Sequence, residues 1–96
     1  MRIRKSDVVL SLAGRDREGL FLVLHTDGGF CWLADGKGRT VEKPKRKNLR
    51  HLRYVCRGEG PAAEKLRGGE PVTDKEVRKT LAFLKEDADG AKIKEV

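Results

Sequence analysis

The residues Leu20–Ala34, L-F-L-V-L-H-T-D-G-G-F-C-W-L-A, decide how this chain folds. Two apolar runs of strand length flank Thr26-Asp27-Gly28-Gly29, and Asp-Gly between apolar runs is the strongest short-range sign of a β-hairpin. Leu20 to His25 is almost continuously apolar, which suits a strand covered on both faces, as in a small closed barrel. In Phe30–Ala34 the residues alternate: Phe30 and Trp32 share one face, Cys31 and Leu33 the other. The pattern leaves open which of those faces turns inward.

Upstream of the hairpin, Val8–Leu12 reads as a first strand, followed by a tight charged loop from Gly14 to Gly19. Downstream, Asp35-Gly36-Lys37-Gly38 repeats the turn chemistry, and Arg39–Glu42 reads as a fourth strand. Pro44 stops that ladder or confines it to an edge. The basic arm Lys45–Asn48 then leads into a fifth strand beginning near His51, with Leu52, Tyr54 and Cys56 on one face and Arg53 and Val55 on the other. Five short strands with turn signals between them predict a small β-barrel.

Helical signals begin after Arg57. Pro61 stands at a first helical position, Ala62–Arg67 follows, and Gly68-Gly69 stops the helix. Thr73-x-x-Glu76 is a capping box that opens a second helix. Its Val77, Leu81, Leu84 and Ala88 recur at helical spacing, flanked by Thr80 and Phe83, until Asp89-Gly90 closes it; residues 91–96 read as a frayed tail. The expected organisation is therefore mainly β: a five-stranded barrel over residues 1–57 with a C-terminal extension of one or two short helices over 58–96. The Val77/Leu81/Leu84 stripe either packs back on the barrel, the favoured reading, or docks a protein partner.

Charge is the second informative feature. The stretch Lys37–Arg57 holds nine Lys or Arg residues and one acid, Glu42, a formal charge of +8, whereas the whole 96-residue chain carries +7. All the excess positive charge thus sits in about a fifth of the sequence. Cations this concentrated suit a polyanion, because each one neutralises a phosphate and releases condensed counterions. Val41, Leu49, Leu52, Tyr54 and Val55 are threaded through the stretch, so it reads as a basic surface on folded strands rather than a loose tail.

The composition excludes several classes. No apolar run approaches the ~18 residues of a membrane span. The run Val8–Ala13 is too short for the core of an export signal, and Asp7 stands at its entrance. Cys31 and Cys56 are accordingly read as reduced thiols of a cytoplasmic protein. His25, Cys31, His51 and Cys56 lack the spacing of a zinc site, and Asp87-Ala88-Asp89-Gly90 lacks the further ligands of a calcium loop, so no metal or other cofactor is expected. Neither Ser6 nor Ser11 has a nucleophile's setting and no carboxylate pair stands out, which gives no basis for an enzyme.

The barrel half resembles a KOW module. The likeness rests on V-V-L-S-L-A-G-R-D-R-E-G-L-F-L-V-L and on W-L-A-D-G-K-G-R-T-V-E-K-P-K-R-K-N-L-R-H-L, covering roughly residues 6–55. It is nearest to small bacterial KOW-domain RNA-binding proteins, themselves similar to a KOW-bearing large-subunit ribosomal protein family of archaea and eukaryotes. One departure stands in the first loop. The family commonly has Lys-Gly after G-R-D, whereas here Gly19 comes one place later and Glu18 intervenes.

The resemblance implies an SH3-like barrel that binds structured RNA, most simply ribosomal RNA, without catalysis. It implies a ribonucleoprotein role in translation, with ribosomal proteins as further partners, no membrane, and a monomer outside its complex. The RNA-contacting residues would be Arg15 and Arg17 in the first loop, then Lys37, Arg39, Lys43, Lys45, Arg46, Lys47, Arg50, His51 and Arg53. Aromatic residues are few, and core or rim packing is favoured over base stacking for Trp32 and Tyr54, so shape and backbone would be read rather than single-strand sequence. Two alternatives remain: a protein-interaction module of a transcription or translation factor, and sequence-tolerant binding of duplex DNA.

Overall fold

The computed structural model describes residues 2–14 and 19–87. Strands β1 (Asp7–Ser11), β2 (Leu20–Asp27), β3 (Phe30–Ala34), β4 (Lys45–Asn48) and β5 (Leu52–Arg57) form one antiparallel sheet in the order β4-β3-β2-β1-β5. The first four strands are a meander. A single 3₁₀ turn, Leu49–His51, then carries the chain from β4 to the far edge, where β5 pairs with β1. The sheet is open, with β4 and β5 as its edges. Two helices follow, α1 (Pro61–Arg67) and α2 (Asp74–Asp87).

The apolar run of β2 is covered on both faces, as its composition requires. Phe21 and Val23 join Ile3, Val9, Cys31, Leu33 and Leu52 in one core, on one side of the sheet. Leu22 joins Val8 and Ala34 on the opposite face, and there the cover is helical: Ala62 and Leu66 from α1, Val77 and Leu81 from α2. Leu84 packs against the same cluster, so the α2 stripe is spent on the sheet. Each buried Val, Leu, Ile or Phe side chain among these contributes roughly 1.5–3 kcal/mol relative to exposure. Among the described residues no helix is long and apolar enough to cross a membrane.

The hairpin turn is Gly28-Gly29, with φ of 58° and 119°; two consecutive positive φ values are what a primed two-residue turn demands. The helix caps also follow the sequence. Glu76 N–H donates to Thr73 Oγ1 (3.2 Å) while Thr73 N–H donates to Glu76 Oε1 (3.0 Å), closing the capping box. Pro61 occupies the first turn of α1, and Gly69 at φ 78° terminates it.

Two readings need correction. The segment Arg39–Glu42 is not a strand; β4 is Lys45–Asn48, immediately after Pro44. Asp35 explains the loop, since its Oδ1 accepts from the backbone of both Lys37 and Arg39 at 2.9 Å and folds the chain back on itself. Val41 then turns to the helix-side core, its N–H donating to Asp74 Oδ1 at 2.9 Å. The second correction concerns β5. The register slips between Val8↔Cys56 and Val9↔Tyr54, leaving Val55 as an extra residue. That bulge moves Cys56 to the helix-side core while Leu52 stays in the other, so Leu52, Tyr54 and Cys56 do not share a face. The two cysteines are free thiols in different cores. The expected end of α2 at Ala88–Gly90 and the tail lie outside the described residues.

Candidate nucleic-acid interface

β4 is a strand without an apolar residue, and its alternation explains how it holds a core on one side and a cationic surface on the other. Lys47 pairs with Cys31 and is 9% exposed; its aliphatic stem lies inward and its Nζ donates to Ala13 O at 2.9 Å. Arg46 faces the other way, exposed, with its guanidinium carbon 4.4 Å from the centroid of the Phe30 ring. A cation held over an aromatic face gains roughly 0.5–1 kcal/mol at an exposed site and keeps its in-plane N–H groups for another partner. Trp32 pairs with Arg46 on β4 and with His25 on β2, the His25 and Trp32 rings lying 5.1 Å apart and tilted by 49°. Phe30, Trp32, Arg46 and His25 thus form a half-exposed aromatic and cationic strip on the β2–β3–β4 end of the sheet.

The next cations follow along the chain. Arg50 and His51 are exposed in the 3₁₀ turn, which Asn48 caps by accepting the Arg50 N–H at 3.0 Å, and Arg53 is exposed on the edge strand β5. Lys37 and Lys43 are exposed in the β3–β4 loop, while Lys45 and Arg39 are half-buried. Arg15 and Arg17 lie outside the described residues. Among the described residues, the side chains of Lys37, Lys43, Lys45, Arg46, Arg50 and Arg53 join no ion pair and donate no hydrogen bond. Two acids of the helices are engaged elsewhere: Glu76 with Lys65 at 2.6 Å, and Asp74 with the Val41 backbone.

Two hydrogen bonds bring the first loop to this arm. Lys47 Nζ reaches Ala13 O from β4, and the Leu12 N–H donates to His51 O at 2.9 Å from the other side. Ala13 and Gly14, the entrance to the 14–19 loop, are therefore wedged beside β4 and the 3₁₀ turn. Gly14 has φ 78°, and a Cβ there would stand 3.4 Å from the Lys47 ammonium.

Sequence reasoning missed the aromatic strip, because pairing Arg46 with Phe30 needs the β3–β4 register. The only available signal was the alternation of Phe30 and Trp32 against Cys31 and Leu33. It also assigned Lys47 to the exposed set, whereas the structure turns it inward. Burial raises the pKa of the Cys31 thiol to about 11, with the Asp7 charge adding to the effect, and raises that of Cys56 chiefly for the same reason. Among the described residues no group of three or more His, Cys, Asp or Glu could hold a metal ion. The chain matches no protein-family model and no curated protein.

Proposed function

We propose that this protein is a cytoplasmic RNA-binding domain of the KOW type that docks the backbone of structured RNA, most simply ribosomal RNA, through the exposed cations Arg46, Arg50, His51 and Arg53. The observation that carries the reading is the junction of the first loop with the basic arm, through Lys47–Ala13 and His51–Leu12. It brings the entrance of the first loop against the basic arm, some thirty residues further along the sequence, beside the exposed Arg50 and His51, which have no acidic partner among the described residues. A meander whose last strand returns to pair with the first is also what a small SH3-like barrel needs, and this supports the architectural part of the proposal.

Lys47 takes a positioning role here rather than a contact. Arg46 supplies both charge and a flat guanidinium already held over Phe30, a geometry suited to phosphate or to a splayed base. Trp32 is the single tryptophan of the chain and reports on this strip. Its fluorescence, titrated with structured RNA, single-stranded RNA and duplex DNA at several salt concentrations, tests the proposal. Structured RNA should bind with a steep negative log–log salt slope that Arg46→Ala and Arg50→Ala make shallower. Equal binding of duplex DNA would favour sequence-tolerant DNA binding. Absence of nucleic-acid binding at moderate salt would leave the protein-interaction reading.

A further inference from the structure

A second cationic site lies at the other end of the β1–β5 ladder. The pair Asp7↔Arg57 opens that ladder and Ser11↔Leu52 ends it, so Arg57 stands roughly 15 Å along the strand from the 3₁₀ turn. Around Arg57 is an open recess of about 800 Å³ lined by Arg2, Arg4, Lys5, Tyr54 and Arg67, with Ser6 and Asp7. Five cations thus face one carboxylate, and that carboxylate is already engaged, Asp7 Oδ2 accepting the Arg4 N–H at 2.7 Å.

The floor of the recess is rigid. Arg67 Nη1 donates to Ser6 Oγ (2.9 Å) and to Gly58 O (3.0 Å), which fixes the guanidinium and leaves its Nε and Nη2 without a partner among the described residues. Ser6 has φ 76°, the one positive value at a non-glycine among the described residues. Its backbone is pinned on both sides, its N–H to Val23 O at 2.8 Å and its carbonyl to the Gly58 N–H at 2.9 Å. A Cβ at Gly58 would come within 2.2 Å of Ser6 O, so only glycine fits there. Backbone held in a costly conformation by its surroundings is characteristic of binding sites. Arg2, Arg4, Lys5 and Arg57 form no ion pair among the described residues. Gathering like charges in a concavity is unfavourable, and an anion relieves it.

We propose that this recess binds the phosphate of a nucleotide. Arg57 and Arg67 supply planar forks that match phosphate oxygens, and the Tyr54 ring, 36% exposed beside them, offers a stacking surface for the attached base. The site is separate from the basic arm and stands whether or not the arm binds RNA.

The chain supplies its own reporters, since Tyr54 is its single tyrosine and Trp32 its single tryptophan. The full chain is titrated with adenosine monophosphate, inorganic phosphate and adenosine while the Tyr54 ring and Trp32 indole signals are followed by NMR. The nucleotide and phosphate should shift Tyr54 saturably, adenosine at equal concentration should not, and Trp32 should stay in place. Arg57→Ala and Lys5→Ala, both at exposed positions, should each weaken the nucleotide by about tenfold, as for loss of a charge-assisted hydrogen bond. Arg46→Ala should leave it unchanged. A Tyr54 signal that does not respond to the nucleotide, or a response that survives both Arg57→Ala and Lys5→Ala, overturns the proposal. A short RNA that competes with the nucleotide at Tyr54 identifies RNA phosphate as the source; an RNA that moves Trp32 but leaves the nucleotide-induced Tyr54 shift intact identifies a free nucleotide.

Discussion

Lys47 donates its ammonium to the carbonyl of Ala13 at 2.9 Å from a side chain that is almost wholly buried, in a strand that is otherwise a cationic edge. A strongly basic sequence therefore uses one of its lysines as a strut. Replacing Lys47 with Met keeps the stem and removes the charged donor, leaving the Ala13 carbonyl only the Ser11 hydroxyl at 3.2 Å. Thermal or denaturant unfolding should show a loss of about 1–3 kcal/mol. Lys45→Met, one pleat away and half-buried, should cost much less. Equal losses for the two would remove the distinction between strut and surface.

Arg46 and Phe30 can be separated by substitution. Phe30→Leu preserves the local charge and removes the ring, so RNA affinity should fall about two- to fivefold, corresponding to ~0.5–1 kcal/mol, with the salt slope unchanged. Arg46→Ala should weaken binding and also reduce the salt slope by about 1. The paired titrations therefore tell apart the orientation of the guanidinium and its charge.

The β1–β3 region was legible because local and global signals agree there: alternating residues in β3, a continuous apolar run in β2, and an Asp-Gly-Gly turn between them. The fourth strand was not. Arg39-Thr40-Val41-Glu42 carries the alternation of a half-buried strand, yet Asp35 and Asp74 capture its backbone N–H groups. Lys45–Asn48 has no apolar residue to betray its inward position, because the stem of Lys47 fills it. The bulge at Val55 adds no composition signal, so the switch of Cys56 to the other core was invisible. Excess charge located the arm, while the recess draws Arg2, Arg4, Lys5, Arg57 and Arg67 from segments that only the fold brings together.

Gly36 locks the β3–β4 loop to α2. Its φ is 80°, a Cβ would stand 2.6 Å from Asp74 O and 2.7 Å from Arg78 Cγ, and its carbonyl accepts from Arg78 Nη1 at 2.6 Å. Gly36→Ala combines backbone strain with a backbone clash and should destabilise by about 1–3 kcal/mol or more. Gly28→Asn is the comparison, since φ 58° suits Asn and nothing lies within 4 Å of its Cβ position; its cost should be a few tenths of a kcal/mol. Chemical denaturation of the two variants measures the difference.

The two thiols should differ in reactivity. Cys31 is fully buried with its pKa raised to about 11, whereas Cys56 is only half-buried, its pKa raised by desolvation and by the Glu59 and Asp7 charges. A thiol-specific reagent under native conditions should label Cys56 first, and Cys31 only at the rate of local or global opening. Mass spectrometry of the time course checks the order, and simultaneous labelling would contradict the placement of Cys31 in the core.

The Lys65–Glu76 pair ties α1 to the capped end of α2 and gives stability a defined pH dependence. The hydrogen bond from Lys65, with the Thr73 N–H next, lowers the Glu76 pKa, and the hydrogen bond to Glu76 raises that of Lys65. A carboxylate with a depressed folded pKa binds fewer protons folded than unfolded across that interval. Its contribution is thus fully present above the unfolded value and disappears as pH falls through the folded one. For Lys65 the sign reverses: the contribution is present below the ordinary lysine range and is lost as pH rises through the elevated folded value. Glu76→Gln removes the charge but keeps a side chain able to complete the capping box. The difference in unfolding free energy between wild type and Glu76→Gln should therefore be level near neutrality and shrink on acidification below about pH 4–5. It should be partly screened by salt, since both groups reach solvent. Denaturant titrations from about pH 3 to pH 7 measure that difference, and a difference that grows toward acid would mean that the carboxylate is a burden to the fold rather than a tie between the helices.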